Sequence, residues 1–400
     1  MGSGRTTHQL RKFRFAGPQK VAAALLLLLL GQCLWVSARQ PLSETDYQFA
    51  RCGREMWERP SPLAGYFTTT CGNIHDGTLA YRAAGLPLTL ERIALGQAST
   101  TSTWEMRHEV GAIRLLLRLP FMLAGLGLGA CLWWVTRRLF GDAGGYIALG
   151  LYCFEPAVVR ASTAPNNEIL AAFGVFSTIY LAIGVAHALQ GPRKKWRPRI
   201  VLLTLALGFT AAAHIAAFIV ALVFTVVFMA WVAEGRRAYI PTLLIVWVLG
   251  AFFLLFASYA FHPDAFSYVF RSAAGRMWIS LDAAEWFFAQ PENAAFTIAL
   301  LGALALYAAL RRSRYFGNTT PLVVGVPLLL MVTTGVKSEP WLWALPFLIA
   351  FVGGVFADAI QTRWRKSFLW ATGVVLLGQA GLCVASLWGM AAAGLPRGVR

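Results

Sequence analysis

Two carboxylates stand where polar chain meets apolar chain. Asp46 lies just beyond the first hydrophobic run, in SETDYQFARCG (43–53), and Glu168 opens a later one, in APNNEIL (164–170). A carboxylate at such a boundary can accept a proton from a hydroxyl or help to hold a metal. Each also has a plainer reading. Asp46, like its neighbour Glu44, serves equally as a solvated loop charge, and Glu168 as a first-turn charge favoured by the helix dipole. Arg51, Arg54, Arg82 and Lys337 fall on the same side of the chain. Converging cations suit a phosphate, because Arg forks onto its oxygens and Lys adds a point charge; ion pairs within the loop are the alternative. His214 sits inside an apolar run, where an ionisable side chain is expensive and marks either a cavity or a satisfied packing site. No GxSxG, Walker A, HExxH or dinucleotide-binding fingerprint occurs, so nucleophilic and nucleotide-loop chemistry lack support.

The elements that must position these groups are membrane helices. The 400 residues are 58% hydrophobic and 13% charged, with a mean hydropathy of +0.59, against about 25% charged in soluble domains. Apolar runs of bilayer length, about 17–25 residues, recur along the chain. They are too long and too uniformly apolar for barrel strands. An all-α polytopic integral membrane protein follows, because only helices or closed barrels satisfy their backbone in lipid.

Charge sets its orientation. Assigning segments alternately to two sides puts 20 of the 35 Lys and Arg, but only three of the 18 acids, on the side of the N-terminus. That is the positive-inside pattern, so the N-terminus is expected in the cytoplasm. The net charge of +17 is then a topology signal with some affinity for anionic lipids, and implies no nucleic-acid partner.

The expected organisation is a basic cytoplasmic tail (1–20), a transmembrane domain (21–390) and a C-terminal tail (391–400), extracytoplasmic. A first span (21–36) leads to a long extracytoplasmic loop (39–114); a cleaved signal peptide is the alternative for this span and leaves the loop on the same side. Spans are then expected over 119–135, 146–159 and 169–189, with 160–168 a short outer loop. Residues 200–232 are too long for one span, and the basic residues at both ends require two helices breaking near His214. Further spans at 239–261, 294–310, 321–335, 341–357 and 368–390 make about eleven. A second outer loop (262–293) mixes aromatics and charge like an interfacial segment. Four of the six cysteines lie in apolar runs; Cys52 and Cys71 share the first loop, where an oxidising compartment allows a disulfide or leaves two thiols. Transporters place acids mid-span in paired, interrupted helices, whereas here the acids crowd the outer side.

Several stretches resemble a known group. These are TDYQFARCG (45–53), IHDGTLAYRAAGLPL (74–88), RLPFMLAGLGLGACLWWVTRRLFG (118–141), EPAVVRASTAPNNEIL (155–170), GFTAAAHIAAF (208–218) and VKSEPWLWALPFLIAFVGG (336–354). In this order they resemble the GT-C membrane glycosyltransferases, specifically the bacterial group related to protein O-mannosyltransferases and aminoarabinose transferases. Thr45-Asp46 stands where that group has Asp-Glu, Asp76-Gly77 where it has paired prolines, and His214 where it has Lys.

The resemblance implies a GT-C-like fold in a bacterial-type inner membrane, with the active face extracytoplasmic. It implies transfer of a sugar from a polyprenyl-phosphate donor to a lipid, glycan or protein acceptor. Asp46 and Glu168 would be the catalytic acids, or the ligands of a divalent metal if one is used. His75 and His214, in the matching stretches, would contact substrate; Arg51, Arg54, Arg82 and Lys337 are assigned to the phosphate by their charge and side of the chain. An inverting transfer through an oxocarbenium-like state suits paired carboxylates. The alternative functions are a non-catalytic subunit of a surface-polysaccharide or lipid-modification system, and a transporter.

Overall fold

The computed structural model describes residues 17–58, 77–96, 110–111, 113–261, 277–309, 316–333 and 341–393. Its helices are α1 (Gly17–Arg39), α2 (Glu44–Glu58), α3 (Leu79–Ala94), α4 (Arg114–Cys153), α5 (Pro156–Thr163), α6 (Glu168–Leu189), α7 (Arg193–Ala213) and α8 (Ile215–Val232). They continue with α9 (Ile240–Ser258), α10 (Asp282–Ala289), α11 (Ala294–Ala309), α12 (Phe316–Leu329), α13 (Trp341–Ile360) and α14 (Arg365–Ala393). Eight helices among the described residues are long and apolar enough to cross a membrane: α1, α4, α6, α8, α9, α11, α13 and α14.

Helix α4 is two helices in one. Its 40 residues, if straight, would span about 60 Å, twice the hydrocarbon thickness of a bilayer. Gly141 instead adopts φ 74°, ψ −175°, a backbone state that a side chain disfavours, and the chain turns back there. Arg137 and Asp142 pair across the turn at 2.5 Å. Tyr152 then reaches Gly125, 27 residues earlier, and donates to its carbonyl at 2.7 Å. The arms are the two expected spans, 119–135 and 146–159.

The second arm stops earlier than expected, at Cys153 rather than residue 159. Pro156 has no N–H to continue a helix and pushes the preceding residue out of the α region; Glu155 is extended at φ −86°, ψ 114°. The residues beyond it form α5, so 160–168 is partly helical rather than a simple loop. Between α7 and α8, His214 takes φ −157°, ψ 119° and caps α8 by accepting from the Ala216 N–H, which is the break expected from charge and length.

Helix α13 is the axis of the bundle. Of its apolar window 89% is buried, against 17% for α14, and α13 packs on α4, α6, α11 and α12. In the long loop, α2 and α3 lie together. Their backbones touch at Gly53 and Gly85, where an added Cβ on either would meet the other's main chain within 2.6 Å. Phe49 stacks on Tyr81 beside this crossing at 4.3 Å.

One departure from the all-α expectation occurs among the described residues. Strands β1 (Met277–Ile279) and β2 (Met331–Thr333) pair antiparallel, Trp278 opposite Val332. They stitch the second loop to the end of α12. The span expected over 321–335 therefore ends as a helix at Leu329 and continues as strand.

Candidate functional site

Helix α2 begins with a capping box. Ser43 Oγ accepts from the Asp46 N–H at 3.1 Å, and Asp46 Oδ2 accepts in return from the Ser43 N–H at 3.1 Å. Asp stands where Glu or Gln is usual in this motif. The same Oδ2 receives Arg118 Nη2 at 3.0 Å, with both side chains buried. Arg118 also donates to the carbonyls of Ser37, Gln40 and Pro41 at 3.1–3.2 Å. One guanidinium thus ties the end of α1, the link after it, α2 and α4.

The loop cations have partners of their own. Arg54 Nε binds Glu58 Oε1 at 2.9 Å, and Arg92 Nε reaches the same oxygen at 3.0 Å, pinning α2 to α3. Arg82 Nε donates to the Ser258 carbonyl at 2.7 Å, which also accepts from Thr78 Oγ1 at 2.6 Å. That carbonyl is at the C-terminal, negative end of α9, a natural seat for a cation. Arg82 also lies over the Trp57 ring at 5.3 Å, while Trp57 Nε1 donates to the Arg82 carbonyl. Arg51 is half-buried on α2.

Glu168 and His214 are brought together through a residue that the sequence did not single out. Glu168 is the first residue of α6 and is buried; its Oε2 accepts from Trp343 Nε1 at 2.7 Å. His214 meets the Trp343 ring edge-on at 4.9 Å. Its Nδ1 accepts from the Ala216 N–H at 3.2 Å, so in the neutral ring Nε2 carries the proton. The start of the α3 segment lies close by. A Cβ on Gly77 would fall 1.7 Å from the Ala212 carbonyl oxygen, so only glycine fits there. Four separate stretches therefore meet around the His214 break and Trp343.

The two acids have different donors: Arg118 for Asp46 and Trp343 for Glu168. Both lie along the first arm of α4. Gly125, whose open face meets Ser162 and Ile169, is two turns from Arg118, roughly 10 Å by helix rise. Among the described residues no group of three or more His, Cys, Asp or Glu is placed to hold a metal ion. A guanidinium already on Asp46 also makes that carboxylate a poor metal ligand. Cys52 is disulfide-bonded, whereas Cys33, Cys131, Cys153 and Cys383 are free thiols. His75, Lys337 and Cys71 lie outside the described residues.

A second polar cluster also escaped the sequence reading. Glu155, fully buried between α4 and α5, accepts from Gln379 Nε2 at 2.9 Å. Nearby, Arg160 pairs with Glu292 at 2.6 Å, and Ser386 donates to Glu292 Oε2 at 2.6 Å. An acid directly before a proline at a span end was the available signal.

The bundle, its kinked first hairpin and its long first loop define a polytopic membrane protein of GT-C fold. Residues 110–262 match the family described as Dolichyl-phosphate-mannose-protein mannosyltransferase, which bears out the resemblance read in the sequence. The structure is similar to that of ArnT from Cupriavidus metallidurans in the apo state, with a TM-score of 0.59 at 14% identity over 93% of this chain and 76% of that one. ArnT bound to undecaprenyl phosphate gives 0.58 at 13% identity, over 94% and 76%. The Archaeoglobus fulgidus oligosaccharyltransferase, in complex with Zn and sulfate, gives 0.55 at 12% identity over 94% of this chain and 52% of that one. At these identities the likeness is one of fold. No curated protein matches the chain by sequence.

Proposed function

We propose that this protein is a membrane glycosyltransferase moving a sugar from a polyprenyl-phosphate donor to an acceptor hydroxyl on the extracytoplasmic face. The observation that carries the reading is a buried carboxylate, Glu168, held by Trp343 at 2.7 Å beside His214 in a GT-C fold. The relative bound to undecaprenyl phosphate supports the donor class. Glu168 takes the acceptor's proton as the acceptor oxygen bonds to the anomeric carbon. The anomeric C–O bond to phosphate breaks, and the polyprenyl phosphate leaves with the electron pair. Arg51, Arg82, His75 and Lys337 are assigned to the donor side. Asp46, neutralised by Arg118, is assigned the task of fixing α2 over the reacting groups.

The same reading takes α4 as two spans and adds α7 and the short α12, giving eleven. It puts residues 1–20 in the cytoplasm of a bacterial-type inner membrane, and the 39–114 and 262–293 loops and residues 391–400 outside. A second reading, a non-catalytic subunit, is favoured by one observation: Asp46 Oδ2 is committed to Ser43 and Arg118. The test is consumption of polyprenyl-phosphate-mannose by the purified full-length protein. Turnover abolished in Glu168→Gln at unchanged expression is expected. Donor binding without turnover in the wild type would move the assignment to the second reading.

A further inference from the structure

We infer that Trp343 is the positioning residue for Glu168; the inference rests on reading Glu168 as the acceptor-side base. The indole is fully buried in α13, the most enclosed helix, and has one polar atom, Nε1. That atom goes to Glu168 Oε2 at 2.7 Å. Trp is a donor only, so the contact has one sense: N–H to carboxylate oxygen. A charge-assisted donor of this kind fixes the plane of the carboxylate. The ring itself is held from the opposite element. His214, locked at the α7–α8 break by its own cap, stands edge-on to it at 4.9 Å. Neither side chain is on a loop: Glu168 opens α6 and Trp343 lies in the first turn of α13. A base at a helix end, bonded to a buried indole that packs edge-on against His214, is held by groups on three helices or their ends. Preorganisation of this kind acts on the chemical step more than on donor binding.

The test separates the N–H from the ring. Trp343→Phe removes the donor and keeps an aromatic; benzothienylalanine at 343 keeps the indole shape and replaces only N–H by sulfur. Release of polyprenyl phosphate from polyprenyl-phosphate-mannose, with water as acceptor, is measured in the full-length protein. Both variants are expected to lower kcat by about ten- to a hundred-fold, the range for a hydrogen bond to a charged group. KM for the donor should stay unchanged, while the melting temperature in detergent should fall by a similar amount in both variants, since each leaves a buried carboxylate oxygen without its indole donor. Wild-type kcat in the benzothienylalanine protein overturns the inference, because a packing role alone is served by the ring. Wild-type turnover in Glu168→Gln overturns the underlying reading instead, whatever residue 343 does.

Discussion

Arg118 and Asp46 meet in a buried ion pair at 3.0 Å that also completes the capping box of α2. The pair joins the first arm of α4 to the first turn of a loop helix, a tie that stands beside those of Thr78 and Arg82 to Ser258. Removing one partner of a buried pair leaves an uncompensated charge, at a cost of about 3–5 kcal/mol.

Arg118→Leu and Asp46→Asn should therefore each destabilise the protein strongly, and the double variant by less than the sum. Thermal unfolding in detergent across the four proteins gives the coupling. Additive effects would show that the two side chains do not share an interaction.

Gly141 is the turn on which the α4 hairpin folds. A valine there would have to occupy positive φ, which costs roughly 1–2 kcal/mol or more. Gly141→Val should lower the melting temperature while Gly184→Val, at a helical glycine whose Cβ position is open, should not.

Arg82 offers a separation of charge from hydrogen bonding. Arg82→Lys keeps the cation but loses the Nε donor to Ser258. If charge serves the donor phosphate, Lys should hold KM for polyprenyl-phosphate-mannose near the wild type, whereas Met should raise it. Both should loosen α3 from α9, read as faster proteolysis in the 77–96 segment.

Glu155 gives a prediction about burial. Its Oε2 accepts from Gln379 Nε2 at 2.9 Å. Gln379→Leu leaves that buried acid without the amide donor and should lower the melting temperature in detergent, whereas Glu155→Gln keeps an acceptor for Gln379 and should lower it less.

The hairpin arms and the break at His214 were legible because length and charge bear on them directly: an apolar stretch needs a defined number of crossings. Asp46 was half-legible. Ser43-x-x-Asp46 is a capping-box signature, but the partner Arg118 lies 72 residues away and no local pattern joins them. Trp343 was invisible as a site residue, since an aromatic in WLWALP reads as ordinary lipid-facing or core packing. Its contact with Glu168, 175 residues distant, exists only once α6 and α13 have packed. Arg54 shows the converse: its i,i+4 partner Glu58 is legible locally, and only Arg92, which shares that oxygen from α3, is not.

Helix α14 has a consequence for how the chain assembles in the membrane. Most of its surface faces outward, and its Gln379 and Ser386 reach Glu155 and Glu292. Synthesis runs from the N-terminus, so Glu155 enters the bilayer region well before Gln379 exists. Until then that acid is without its Gln379 donor. The final helix is thus a late-arriving seal on the Glu155 and Glu292 cluster.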